Sequence, residues 1–164
     1  MTRRFSGVGL AFLGVALSSC GYAIGFQPVV PGIRTVAVQV VSNQTFRQRL
    51  ERDLTRSIAR QLSEYSPYRH APSNRADAIL RVEIVAIRNS SIVIGGGRPV
   101  REGALDAIVR IQLIERRTGE ILVDTRLRDI AEYRTLIDEN ETTARPELVS
   151  DLGRAIMLAL EGGL

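Results

Sequence analysis

Hydrophobic positions along the chain follow two periods. From Phe46 onward the spacing is three or four: Phe46, Leu50, Leu54, Ile58, Leu62 and Tyr65 recur, while Arg47, Glu51, Arg52, Asp53, Arg56 and Arg60 fill the other side. This predicts an amphipathic helix that Pro67 stops. Leu148, Leu152, Ile156 and Leu160, supported by Val149, Ala155 and Ala159, predict a second helix with Pro146 in its first turn and Gly162-Gly163 at its end. Leu158 falls off that stripe, among Glu147, Asp151 and Arg154.

Elsewhere the period is two. Val36, Val38 and Val40 alternate with Thr35, Ala37 and Gln39, and Ala78, Leu80, Val82, Ile84 and Ala86 alternate with a mixed face that includes Arg81 and Glu83. Leu105, Ala107, Val109, Ile111 and Leu113 then oppose Asp106, Arg110 and Gln112, and Ile121, Val123 and Leu127 oppose Asp124, Arg126 and Arg128. Each run predicts a strand with one buried face. Ser42-Asn43-Gln44-Thr45 reads as a turn leading into the first helix, and Arg117-Thr118-Gly119-Glu120 as a tight hairpin whose glycine supplies positive φ. Residues 66–75 and 131–145 read as polar loops.

The element order is therefore β-α-β-β-β-α. Two apolar helix stripes and one apolar face on each strand predict an α+β two-layer sandwich, with both helices on one face of a four-stranded mixed sheet. The other sheet face carries Thr35, Gln39, Arg81, Glu83, Asp106, Arg110, Gln112, Asp124, Arg126 and Arg128. Such a face is either simply hydrated or suited to a hydrophilic cavity such as a large β-barrel lumen. The sequence shows no internal repeat and no second domain.

The first residues break this pattern. Arg3 and Arg4 precede an apolar stretch from Val8 to Leu17, the layout of an export signal. That stretch falls short of the roughly 20 apolar residues a bilayer span needs. Leu17-Ser18-Ser19-Cys20 fits the lipobox, in which the cysteine thiol receives a diacylglyceryl group, and Cys20 is the only cysteine. The expectation is a signal peptide over residues 1–19, lipidation at Cys20, a lipid-anchored tether over residues 20–32 and an α+β domain over residues 33–164. Gly21, rather than aspartate, follows the cysteine, which suggests sorting to the outer membrane of a two-membrane bacterium.

Composition narrows the function. All 22 basic residues are arginine, and losing Arg3 and Arg4 with the signal lowers the formal charge from +4 to +2. The high pI thus reflects arginine usage more than a basic surface, and with no tryptophan the chain lacks stacking platforms, so nucleic acid is not an expected partner. His70 is the only histidine, placed in the loop after Pro67, so no catalytic triad or zinc site is expected and no cofactor is called for. Ile94-Gly95-Gly96-Gly97-Arg98 lacks the ending of a phosphate loop. It reads either as a flexible connection or as an anion-binding tip flanked by Arg88, Arg98 and Arg101.

The lipobox, Cys20-Gly21-Tyr22, Pro31-Gly32-Ile33-Arg34-Thr35-Val36-Ala37-Val38, Asn43-Gln44-Thr45-Phe46-Arg47 and the Leu50-to-Leu62 helix together give a chain that resembles the lipopolysaccharide-assembly lipoprotein family, LptE. The match is strongest from about Cys20 to Leu62. The resemblance implies two helices on a four-stranded sheet and a non-enzymatic plug in an outer-membrane β-barrel that inserts lipopolysaccharide into the outer leaflet. It further implies a lipid-anchored, periplasm-facing protein with the barrel as partner, and contact with lipopolysaccharide through basic loop residues, for which Arg88, Arg98 and Arg101 are the candidates by position. A Val-Ala-Val strand, an asparagine turn and an amphipathic helix also occur in lipoproteins that regulate peptidoglycan synthases or build secretion pores, so those roles stand as alternatives.

Overall fold

A computed structural model describes residues 30–46, 49–94, 100–134 and 140–162, without the side chains of 91–94 and 100–102. The elements are β1 (Thr35–Val38), β2 (Ser42–Asn43), α1 (Leu50–Tyr65), β3 (Arg69–His70), β4 (Ala78–Ile94), β5 (Val100–Glu115), β6 (Ile121–Arg134) and α2 (Glu141–Leu160). The sheet runs β3-β1-β4-β5-β6, and β2 pairs with β4 as a continuation of β1. β1, β2 and β4 are parallel, while β4, β5 and β6 are antiparallel, so the sheet is mixed as expected. Its two extra strands, β2 and β3, have two residues each. That is too short for any period to announce them, and the segments containing them had read as a turn and a polar loop.

Both helices cover one face. Leu54, Ile58 and Leu62 of α1 and Leu148, Leu152 and Ile156 of α2 are fully buried against Val36, Leu80, Val82, Ile84, Val109, Ile111 and Leu113. Removing that much apolar side chain from water supplies the dominant folding drive, about 1.5–3 kcal/mol for each fully buried large aliphatic residue. The helices come close because α2 has a glycine at the contact: a Cβ on Gly153 would lie 2.6 Å from Ser57 Oγ.

Several boundaries differ from the sequence reading, each for a local reason. Val40 does not continue the row of buried Val36 and half-buried Val38. The chain leaves the ladder after Val38, Val40 turns outward at 70% exposure, and Val41 takes the inward position, its N–H donating to Thr55 Oγ1 at 3.0 Å. Phe46 is fully exposed outside α1, which starts only at Leu50, and Tyr65 at its end is more exposed than buried. In β4 an irregularity between Ile84 and Ala86 shifts the register, so Ile87 rather than Ala86 pairs with the fully buried Ala107. A shift between Leu113 and Ile114 likewise leaves Ile121 exposed.

The segment read as a polar loop over 131–145 instead closes β6 and opens α2. Asn140 caps that helix: its Oδ1 accepts from the Thr142 and Thr143 N–H groups, and its own N–H donates to Thr143 Oγ1 at 2.9 Å. Pro146 therefore sits inside the helix rather than in its first turn. Tyr68, in the other predicted loop, is buried, and its hydroxyl reaches Leu160 O at 3.5 Å.

Two ends of the molecule are thereby defined. At one, Ile33 enters the core, Asp77 opens β4, the β5–β6 hairpin turns and both helices finish. From there β4 runs for 17 residues, about 53 Å at 3.3 Å per step. The helix N-termini lie partway along it: Asn43, paired with Ile84, donates to Glu51 at 3.1 Å, and Asn89 donates to Glu141 at 2.9 Å. The distal end of the β4–β5 hairpin thus extends past the start of the helices.

Candidate partner-binding surface

The sheet face opposite the helices carries the charged side chains the sequence placed there, held by alternation on β4, β5 and β6. Arg110 grips Asp124 through two bonds, Nε to Oδ1 at 2.9 Å and Nη2 to Oδ2 at 2.6 Å, and Gln112 adds a third at 3.0 Å. The guanidinium and the amide hold the Asp124 carboxyl down at about 2. One turn of the ladder further on, Arg128 makes the same two-pronged contact with Asp106, both bonds 2.9 Å. Arg128 folds over this carboxylate and leaves its side chain only 11% exposed, so Asp106 is nearly buried rather than wet, and its pKa is lowered chiefly by that bond. Arg81 donates to Gln39, and Gln44 to Glu83.

Most charges here are thus spent on neighbours of the same chain. Ile79, Ile108, Ile114 and the 45% exposed Ile130 lie between them. A face built this way docks against a polar wall without stranding a charge, because planar arginine–carboxylate pairs carry their partners with them into the contact.

The candidate arginines of the hairpin do not form one cluster. Arg88 is exposed on β4 opposite Asp106, whereas Arg101 pairs in the backbone register with Val93. Five rungs of ladder, about 17 Å, separate the two. Arg98 and Gly95-Gly96-Gly97 lie outside the described residues, as does Cys20. His70 sits exposed on β3 at the sheet edge. Among the described residues no cluster of ligands fit for a metal ion occurs, and no helix is long and apolar enough to cross a membrane.

The helix side also holds a charge, which the alternation of β6 puts in phase with Leu127. Asp129 shares its sheet face with Leu127 and Ala131, and its buried Oδ2 has no hydrogen-bond partner. Burial raises its pKa; the Ile130 N–H opposes this, Asp151 adds to it and Arg154 opposes it. A raised carboxyl stabilises the fold below its ordinary value and loses that contribution as pH rises through the raised value. Asp129→Asn is therefore expected to raise the thermal midpoint at neutral pH by a few degrees. The gain should shrink toward zero as melts are repeated below about pH 4.

Solved structures place this architecture among bacterial proteins that include lipoproteins. A hypothetical protein of Chlamydia trachomatis superposes with a TM-score of 0.61 at 14% identity, over 79% of this chain and 96% of that one. A minor lipoprotein of Acinetobacter baumannii gives 0.55 at 14% identity, over 79% and 94%. A Xanthomonas campestris protein gives 0.57 at 10% identity, over 81% and 90%. At such identities the likeness is one of fold. No curated protein matches the chain in sequence. The lipopolysaccharide-assembly family LptE matches residues 33–160, nearly all of the sheet and both helices, and the chain belongs to that family. Its members are non-enzymatic assembly lipoproteins, which associates this chain with lipopolysaccharide transport.

Proposed function

We propose that the protein is an outer-membrane lipoprotein, anchored through Cys20 and facing the periplasm, that serves as assembly factor and plug for the β-barrel inserting lipopolysaccharide into the outer leaflet. The observation that carries this reading, beside family membership, is the helix-free sheet face with its arginines bound to aspartates of the same chain. A plug in a hydrated lumen needs a surface that is polar yet already satisfied, since an unpaired charge pressed against a wall costs several kcal/mol. Arg88, Arg98 and Arg101 are assigned to contact with the anionic groups of lipopolysaccharide along and beyond the distal hairpin.

Extraction in gentle detergent tests the proposal. The lipoprotein is expected to co-purify with an outer-membrane β-barrel. Asp106→Arg combined with Asp124→Arg, which sets like charges side by side on the sheet face, should abolish that recovery while the lipoprotein remains membrane-bound. Recovery of a peptidoglycan synthase or a secretion pore in place of the barrel would overturn the reading, as would an undiminished barrel yield in the variant.

A further inference from the structure

On the far side of the molecule from that face, the N-terminal halves of α1 and α2 enclose a trough of about 500 Å³. Arg49, Arg56 and Arg60 line it from the α1 side and Arg145 from α2, against the single carboxylate of Asp53. We propose that this trough is a docking groove for an acidic segment of a protein partner.

The contrast with the sheet face carries the argument. There, arginines are held in two-pronged bonds of 2.6–2.9 Å. In the trough, Arg56 approaches Asp53 only to 3.8 Å with its side chain 81% exposed, and Arg145 approaches Glu141 at 3.4 Å. Arg49 and Arg60 make no ion pair among the described residues. Four guanidinium groups thus converge with most of their donors unspent, in a chain whose expected mature form carries a formal charge of only +2. Ser57, 3% exposed and also lining the trough, has a hydroxyl with no partner among the described residues.

Size selects the occupant. From Arg49, just before α1, to Arg60 is eleven steps, about 16 Å at the helical rise. This exceeds the reach of one phosphate and matches four or five residues of extended chain. The inference is argued from the trough's own charge and shape and does not depend on the sheet face.

The test uses the full mature lipoprotein in neutral detergent micelles with a fluorescent octaglutamate peptide. Saturable, salt-sensitive binding is expected, and Arg56→Glu combined with Arg60→Glu should weaken it about tenfold or more. Arg81→Glu combined with Arg126→Glu, which removes the same charge from the sheet face, should change it less than about twofold. Circular dichroism melts check that both variants fold, and Arg60→Gln, a milder change, should still weaken binding measurably. Equal weakening by the two reversals, or none by the groove pair, would overturn the proposal. It would also fall if the groove pair abolished flotation on phosphatidylcholine vesicles containing phosphatidylglycerol while peptide binding persisted, which would assign the trough to lipid.

Discussion

Gly103→Ala is expected to lower stability by about 3 kcal/mol, from overpacking and the polar bonds it disturbs. Gly103 pairs with Tyr133 across β5 and β6, and the phenol ring lies over the glycine so closely that an added Cβ would overlap ring carbons. The ring cannot simply swing aside. Tyr133 is 9% exposed, its hydroxyl donates to Asn89 Oδ1 at 2.8 Å, and Asn89 donates in turn to Glu141 Oε2 at 2.9 Å, where α2 begins. Displacing Tyr133 therefore loosens β4, β6 and the start of α2 together. A fall in thermal midpoint of roughly 10 °C would follow for a domain of this size. The same substitution made on top of Tyr133→Ala should cost less than about 1 kcal/mol, because the clash is gone, and this non-additivity separates the steric cause from any general dislike of alanine in a strand. Gly103→Ala as stable as the parent would show that the ring does not occupy that space.

The glycine illustrates what the chain revealed and what it hid. Buried rows that repeat within one element, such as Leu54, Ile58 and Leu62 or Val109, Ile111 and Leu113, were legible because period alone assigns their face. The mixed sheet and the position of both helices followed from these rows. Features that depend on pairing between distant segments were not legible. The register shift after Ile84 exists only once β5 is laid against β4, and the ring of Tyr133 over Gly103 only once β6 is laid against β5. The start of α2 was masked because Glu141-Thr142-Thr143 has no apolar period, and Pro146 imitates a first-turn proline. The Asn140 and Thr143 reciprocal cap was the signal that would have found it. The candidate sites divide in the same way. The polar sheet face was readable from alternation, but its pairing of Arg110 with Asp124 and of Arg128 with Asp106 needed the register. Arg56 and Arg60 looked like an ordinary solvated stripe until α2 brought Arg145 alongside.

Asp77→Ala is expected to cost about 2 kcal/mol at neutral pH, since bonds to an ionised acceptor are worth more than neutral ones and their loss leaves donors behind. A single oxygen, Oδ2, accepts from Arg34 N–H at 3.0 Å, Thr35 N–H at 2.9 Å and Thr35 Oγ1 at 2.8 Å. The Asp77 N–H meanwhile donates to Thr35, at 3.0 Å to its carbonyl and 2.9 Å to its hydroxyl. β1 has only four residues and meets β4 in parallel directly beside this clasp, so Asp77 fixes the register of a short strand that its own ladder holds weakly. The Thr35 hydroxyl, followed by the two backbone N–H groups, lowers the Asp77 pKa below its ordinary 3.8. A lowered carboxyl contributes its stabilisation in full above the ordinary value and loses it as pH falls through the folded-state value. The stability difference between parent and Asp77→Ala, measured by urea denaturation, should therefore stay level from pH 7 to about 5 and narrow below about 4. Asp77→Asn retains one acceptor oxygen and should cost less. A difference that widens on acidification would mean that the charge on Asp77 opposes the clasp instead of holding it.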